Sequence, residues 1–203
     1  MGFEINDRPK KILKEVSGFL QKNDLEGMYD YIRENYDNDD IGEITDILME
    51  CGIDVMSEFE KWGFIPYAAF SGHWIPESFV RRGNDILTWT YTMNFEHVPG
   101  IKIIDSDAFA GVQNMPDALD LRGLDTVGPG AFAWTGVVAV IIDDNVSIEQ
   151  EAFMGTLLEK IYAPKSMSAD EAKIKDMFEC DGFTFDDADV DAFEDKKLEI
   201  VYY

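Results

Sequence analysis

The 203-residue chain carries 41 acidic against 17 basic side chains, a formal net charge of −24 at pH 7 and an isoelectric point near 4.2. A field of that sign repels bare nucleic acid and anionic membrane surfaces, which disfavours direct nucleic-acid binding; it either steers the protein towards basic partners or serves only to keep it in solution. Apolar residues at 46% and aromatics at 13% suffice for a real core and exclude disorder throughout.

The length fits one large domain, or one domain with a smaller appendage. Cys51 and Cys180 lie far apart and outside any CxxC pair, so a disulfide scaffold is excluded and both read as reduced, buried thiols. The start of the chain has no apolar signal core, and the longest apolar run, Gly136 to Ile142, is far shorter than a membrane span. A cytoplasmic location is expected.

In chain order, the first third reads as helical. Ile12, Leu13, Val16, Phe19 and Leu20 share one helix face, with Asp7 and Pro9 as the start signal. Asn23 or Asp24 caps a second helix whose Leu25, Met28, Tyr29 and Ile32 share a face. A third follows Asp39-Asp40, carries Ile41, Ile44, Ile47, Leu48 and Cys51, and stops at Gly52. From Asn23 to Glu60 there are thirteen acids, Asp30, Glu34, Asp37, Asp39 and Asp40 among them, and Arg33 is the lone base. The first helix is basic, with Arg8, Lys10, Lys11 and Lys14. Two readings of this bias stay open: the basic helix lies against its acidic neighbours, or the acids face a partner.

From about Trp62 a different period appears. Ile104-Asp-Ser-Asp-Ala108-Phe109, Val127-Gly-Pro-Gly-Ala131-Phe132 and Ile148-Glu-Gln-Glu-Ala152-Phe153 align without gaps at near-constant spacing. Trp74-Ile-Pro-Glu-Ser78-Phe79 is a weaker copy, and Tyr67-Ala-Ala-Phe70 a degenerate one. Strand-like runs accompany them at Thr88–Phe95, Leu119–Gly123, Val137–Ile142 and Leu158–Ala163. A unit of one short strand and one turn cannot bury its own apolar face, so such units stack, each Phe upon the next.

These residues resemble the BspA-like leucine-rich repeats, and Leu119-Asp-Leu121-Arg-Gly-Leu124-Asp-Thr-Val127-Gly128-Pro-Gly-Ala131-Phe132 is the closest unit. The resemblance covers about residues 64–166; the usual Ile-Pro strand ending survives only at Ile65-Pro66 and Ile75-Pro76. It implies a recognition scaffold without catalytic chemistry, here an irregular intracellular or phage-type member. The expected class is α+β: a helical N-terminal module (1–61), a short leucine-rich-repeat-like β solenoid (62–166), and a C-terminal cap with an acidic tail (167–203). In the last part Ser168-Ala-Asp170-Glu171 starts a helix running to about Phe178, and Phe183, Phe185, Phe193, Leu198, Ile200 and Tyr202 supply cover for the final repeat.

Catalytic and metal signatures fail on inspection. Asp187-Ala-Asp189-Val-Asp191 begins like a calcium loop, yet Ala192 stands at its glycine position and Leu198 at its final carboxylate position. His73 and His97 have no second histidine or cysteine nearby, which disfavours zinc. Gly128-Pro129-Gly130 lacks the lysine and hydroxyl of a phosphate loop. No cofactor, metal or catalytic residue is therefore assigned. Alternation places Leu119, Leu121, Val138, Val140, Ile142 and Ile161 inward and Arg122, Ile141 and Tyr162 in an exposed row suited to a protein interface, unless other elements cover it.

The function expected is that of a non-enzymatic protein-binding scaffold whose partner has a basic surface. A sharper version is a phage-encoded inhibitor, a DNA mimic whose carboxylates stand in for phosphates on a host nucleic-acid-processing protein. The alternatives are a structural or decoration subunit of a virion-like assembly and an enzyme with an unrecognised site; oligomeric state and partner identity are not encoded legibly.

Overall fold

A computed structural model describes residues 8–75, 79–82, 86, 91–95, 98, 100–179, 183–184 and 196–203. Four helices come first: α1 (Arg8–Lys22), α2 (Leu25–Asn35), α3 (Asn38–Glu50) and α4 (Val55–Trp62). Strands follow as β1 (Phe64–Ile65), β2 (Val80–Arg82), β3 (Tyr91–Asn94), β4 (Ile103–Ile104), β5 (Ala118–Asp120), β6 (Thr126–Val127), β7 (Ala139–Ile141), β8 (Ser147–Ile148) and β9 (Lys160–Ala163). A 3₁₀ helix (Lys165–Asp170) leads into α5 (Glu171–Glu179), then β10 (Phe183–Thr184), β11 (Lys196–Lys197) and β12 (Glu199–Tyr202).

Local chemistry explains the helices. The Asp24 carboxylate accepts the Gly27 N–H at 3.1 Å and caps α2, one of the two candidates the sequence offered. Helix α3 begins before Asp39-Asp40, which occupy its first turn, where carboxylates complement the exposed N–H groups. Helix α4, capped by Asp54 and closed by Gly63 at φ 82°, is absent from the sequence reading because eight residues hold too little periodicity.

The expected class, α+β with a leucine-rich-repeat-like β solenoid, is corrected: among the described residues the chain is α/β, with two large, mainly parallel sheets, a two-stranded parallel pair β10–β11, and five α-helices. One sheet has the order β1-β4-β6-β8 and is parallel throughout. The other has the order β12-β9-β7-β5-β3-β2 and is parallel except at β2–β3. From β4 to β9 the chain alternates between the two sheets, so each Ala-Phe copy lies on a turn joining a strand of one sheet to a strand of the other. The helices are not an appendage: one apolar cluster runs from Ile12 through Ile32, Phe59 and Phe132 to Leu198.

Phe70, Phe109, Phe132 and Phe153 stack at centroid separations of 5.2, 5.3 and 5.5 Å with interplanar angles of 10°, 1° and 12°. Phe178 of α5 closes the column at 5.5 Å, so α5 covers the end of the core. The degenerate copy at Phe70 is thus a full member of the column. Phe79, in the weaker copy, packs edge-on to Phe70 and Phe109 instead.

Each turn holds two left-handed residues, one standing two positions before its Phe and one two positions after it. The first set is Ala68, Asp107, Gly130 and Glu151, at φ 52°, 55°, 66° and 64°. The second is Gly72, Gly111, Trp134 and Gly155, at φ 69°, 65°, 60° and 70°. Hydrogen bonds between successive turns, such as Phe109 N–H to Ala131 O and Phe132 N–H to Ala152 O at 2.8 Å each, force neighbouring turns into one shape. Trp134 therefore adopts a conformation that three glycines adopt at the equivalent places, and its ring lies where a Gly155 Cβ would come within 2.3 Å of it.

Two outcomes follow. Phe132→Ala should lower the free energy of unfolding by about 3–5 kcal/mol, read by urea denaturation, because its cavity opens between two stacked rings. Gly111→Ala should cost about 1–2 kcal/mol from its left-handed backbone alone, and Gly155→Ala more, since it adds the clash with Trp134. In a Trp134→Gly background that excess should vanish, and an additive double-mutant cycle would refute the contact.

Candidate functional site

The acidic residues expected to face a partner divide into two groups. Asp30, Glu34 and Asp39 are exposed. Glu26, Asp30 and Glu34 follow one another at intervals of four along α2, which sets them on one face with a rise of about 6 Å between them. Asp37 and Asp40 are instead engaged by Arg8 of α1, whose Nη2 donates to each carboxylate at 2.6 Å. Asp40 is buried at 5% exposure, so its expected place on an open acidic surface is corrected. Burial, followed by the neighbouring Asp37, pushes its carboxyl up, whereas the hydrogen bond from Asp40 leads the causes that hold Asp37 down. Arg8 thus realises the contact between basic first helix and acidic neighbours that composition allowed.

The expected exposed row is also corrected. Register sets Asp120, not Arg122, opposite Ile141, with Tyr162 next across the sheet. Ile141 is fully buried at 0% and clusters with Ala118 and Ala139 beneath Ile86, Tyr162 and Tyr203. Arg122 turns back on the buried Asp120 carboxylate, donating from Nε at 2.8 Å and Nη2 at 2.6 Å, and Asn94 Nδ2 donates to the same group at 3.2 Å. Tyr162 is half-buried, and the Tyr203 hydroxyl donates to the Ile142 carbonyl at 3.1 Å. Strand alternation identified the outer face; it carried no information about the chain that lies over it.

A cleft at the base of α2 brings together residues the sequence reading left apart. Trp62 of α4, Phe64 of β1 and Tyr67 of the first turn form its aromatic wall, and Glu26, Asp30 and Asp105 supply carboxylates. Arg33 lies over the Tyr67 ring at 4.9 Å from its centroid and reaches Asp105 at 3.3 Å. The Tyr67 hydroxyl donates to Asn38 Oδ1 at 2.6 Å and Asn38 Nδ2 donates to Asp107 Oδ2 at 3.1 Å, which fixes the plane of the ring. Close packing of α3 positions this wall: a Cβ on Gly42 would sit 2.3 Å from the Ser71 carbonyl oxygen, so glycine lets the helix lie flush on the first turn. Arg33 and Asp105 are 72 residues apart, and no local pattern could have paired them.

His73 Nδ1 and Asp46 Oδ2 are 2.8 Å apart, each side chain at 26% exposure. Desolvation is the main cause raising the Asp46 carboxyl above its ordinary value, with the His73 contact opposing it. Cys51, expected to be buried, is exposed because it stands just past the end of α3. His97, Asp187, Asp189, Asp191, Cys180, Phe185 and Phe193 lie outside the described residues. Among the described residues no group of three or more His, Cys, Asp or Glu is placed to hold a metal ion, and no helix is long and apolar enough to cross a membrane.

Comparison with protein-family models, curated proteins and solved structures finds no match. The family resemblance drawn from the Ala-Phe copies therefore rests on those residues alone.

A raised carboxyl contributes stability that is complete below its unfolded value and lost as pH rises through its folded value. Asp46→Asn keeps an acceptor for His73 and removes that loss. Urea midpoints of the two proteins should accordingly diverge in favour of the variant between pH 3 and pH 7 (about the span in which a raised carboxyl titrates); divergence in the opposite sense would contradict the burial argument.

Proposed function

We propose that the protein is a non-enzymatic binding protein for a partner with a basic protein surface. The observation that carries this reading is the α2 face, where Glu26, Asp30 and Glu34 stand in line and exposed, with no ion-pair partner among the described residues. Three acidic residues at a helix rise of about 6 Å form a one-signed stripe, and the net charge of −24 extends its field. Such a stripe steers a basic surface into contact and fixes its register more than it supplies raw affinity.

A nucleic-acid-processing protein is the finer form of the same proposal, since its phosphate-binding surface is basic by necessity. Two of the five carboxylates first assigned to that role, Asp37 and Asp40, are committed to Arg8. The stripe on α2 with Asp39 is what remains for it.

The experiment is affinity capture from cell lysate at about 0.1 M and about 1 M salt, where the screening length falls from about 10 to about 3 Å. Capture of a basic protein should be lost at the higher salt and reduced by Asp30→Asn/Glu34→Gln, and excess duplex DNA should displace a nucleic-acid-processing partner. Asp40→Asn, altering a buried group, should leave capture unchanged. Capture that ignores both salt and the double variant would refute the proposal.

A further inference from the structure

We infer that the cleft between α2, α4 and the first turn is a subsite for a cationic side chain of the partner, an arginine before a lysine, and that Arg33 holds the place until that side chain arrives. This rests on the basic-partner reading and names the contact that reading lacks.

The cleft has the two components that select a guanidinium over other groups. Trp62 and Tyr67 line it with aromatic rings, the Tyr67 face lying under a guanidinium, and Asp30, Glu26 and Asp105 supply acceptors around them. An arginine gains from both at once, stacking its plane on a ring while its N–H fork meets a carboxylate; the compact, strongly hydrated lysine ammonium gains less from the ring. The chain itself shows the fit, because the Arg33 guanidinium occupies this arrangement, 4.9 Å above the Tyr67 ring and 3.3 Å from Asp105.

Space decides between addition and exchange. Only about 30 Å³ is open in the cleft, room for a water or two and not for a second guanidinium beside the first. An incoming arginine must therefore displace Arg33. Its hold is loose: the Arg33 side chain is 52% exposed, and its contact to Asp105 is longer than the 2.7–2.9 Å or so of a strong charge-assisted bond. The receiving wall is firm, since Tyr67 is anchored through Asn38 to Asp107 and Trp62 packs at 5.4 Å on the buried Phe59. An exposed, weakly bonded occupant over a well-anchored wall is the arrangement that exchange requires.

The test uses the full chain and nona-arginine, with nona-citrulline as the uncharged isostere. Binding is read by titration calorimetry and by the Trp62 indole N–H signal in heteronuclear NMR, assigned with Trp62→Phe. Nona-arginine should shift the Trp62 signal saturably and nona-citrulline should not. Arg33→Gln should tighten binding about fivefold to tenfold by emptying the subsite, and Asp105→Asn, which keeps the Oδ1 acceptor for Ser106 N–H at 2.7 Å, should weaken it severalfold. Salt-sensitive binding that leaves Trp62 unmoved, or that Arg33→Gln weakens or leaves unchanged, overturns the exchange while the basic-partner reading stands. Absence of nona-arginine binding to both the parent and Arg33→Gln overturns both.

Discussion

Four phenylalanine rings lying plane on plane, with a fifth closing the column, hold this molecule in register. Phe70, Phe109, Phe132 and Phe153 come from four turns separated in sequence, and their stacking within 5.2–5.5 Å accompanies the backbone hydrogen bonds that give those turns one shape. Offset or parallel aromatic pairs at such distances add about 0.5–1.5 kcal/mol beyond the area they bury. The larger effect is geometric, because turns in one register bring their flanking strands into hydrogen-bonding distance on both sides. The two parallel sheets are consequences of the column as much as of their own short strands, several of which span only two residues.

The same constraint explains where the backbone is strained and where it is crowded. Left-handed residues recur at two positions in every turn, and glycine fills most of the second set. Trp134 is the departure, held in that conformation by its N–H bond to the Met154 carbonyl at 2.8 Å and two-thirds exposed. Gly155 beside it has no Cβ to meet the ring. A side chain conformationally unfavourable by about 1 kcal/mol or more is tolerated because the turns on either side over-determine its backbone.

The helices complete the core and divide the charge. Helix α1 places Arg8 against Asp37 and Asp40, so part of the acidic excess is neutralised internally. Glu26, Asp30 and Glu34 stay exposed in line on α2, beside a cleft whose aromatic wall belongs to α4, β1 and the first turn. The cleft is thus built where the helices and the sheets share one core, from residues that neither part holds alone.

Local pattern by itself determined the positions of α1 to α3 and α5, the strand runs ending at Phe95, Ile142 and Ala163, and the three ungapped Ala-Phe copies, since each is written in spacings of a few residues. It also determined the excess of acid and its concentration between Asn23 and Glu60. Tertiary structure alone decided the rest. It set the copies as turns between two mainly parallel sheets within an α/β fold, recruited Phe70 in place of Phe79, and buried Ile141 and Asp40, which periodicity or composition had set outside. It also laid Arg33 on Tyr67 beside Asp105. The reason is one of range: periodicity reports which face of an element is apolar, whereas what comes to cover a face, and which distant carboxylate meets which cation, depends on chain folded back from tens of residues away.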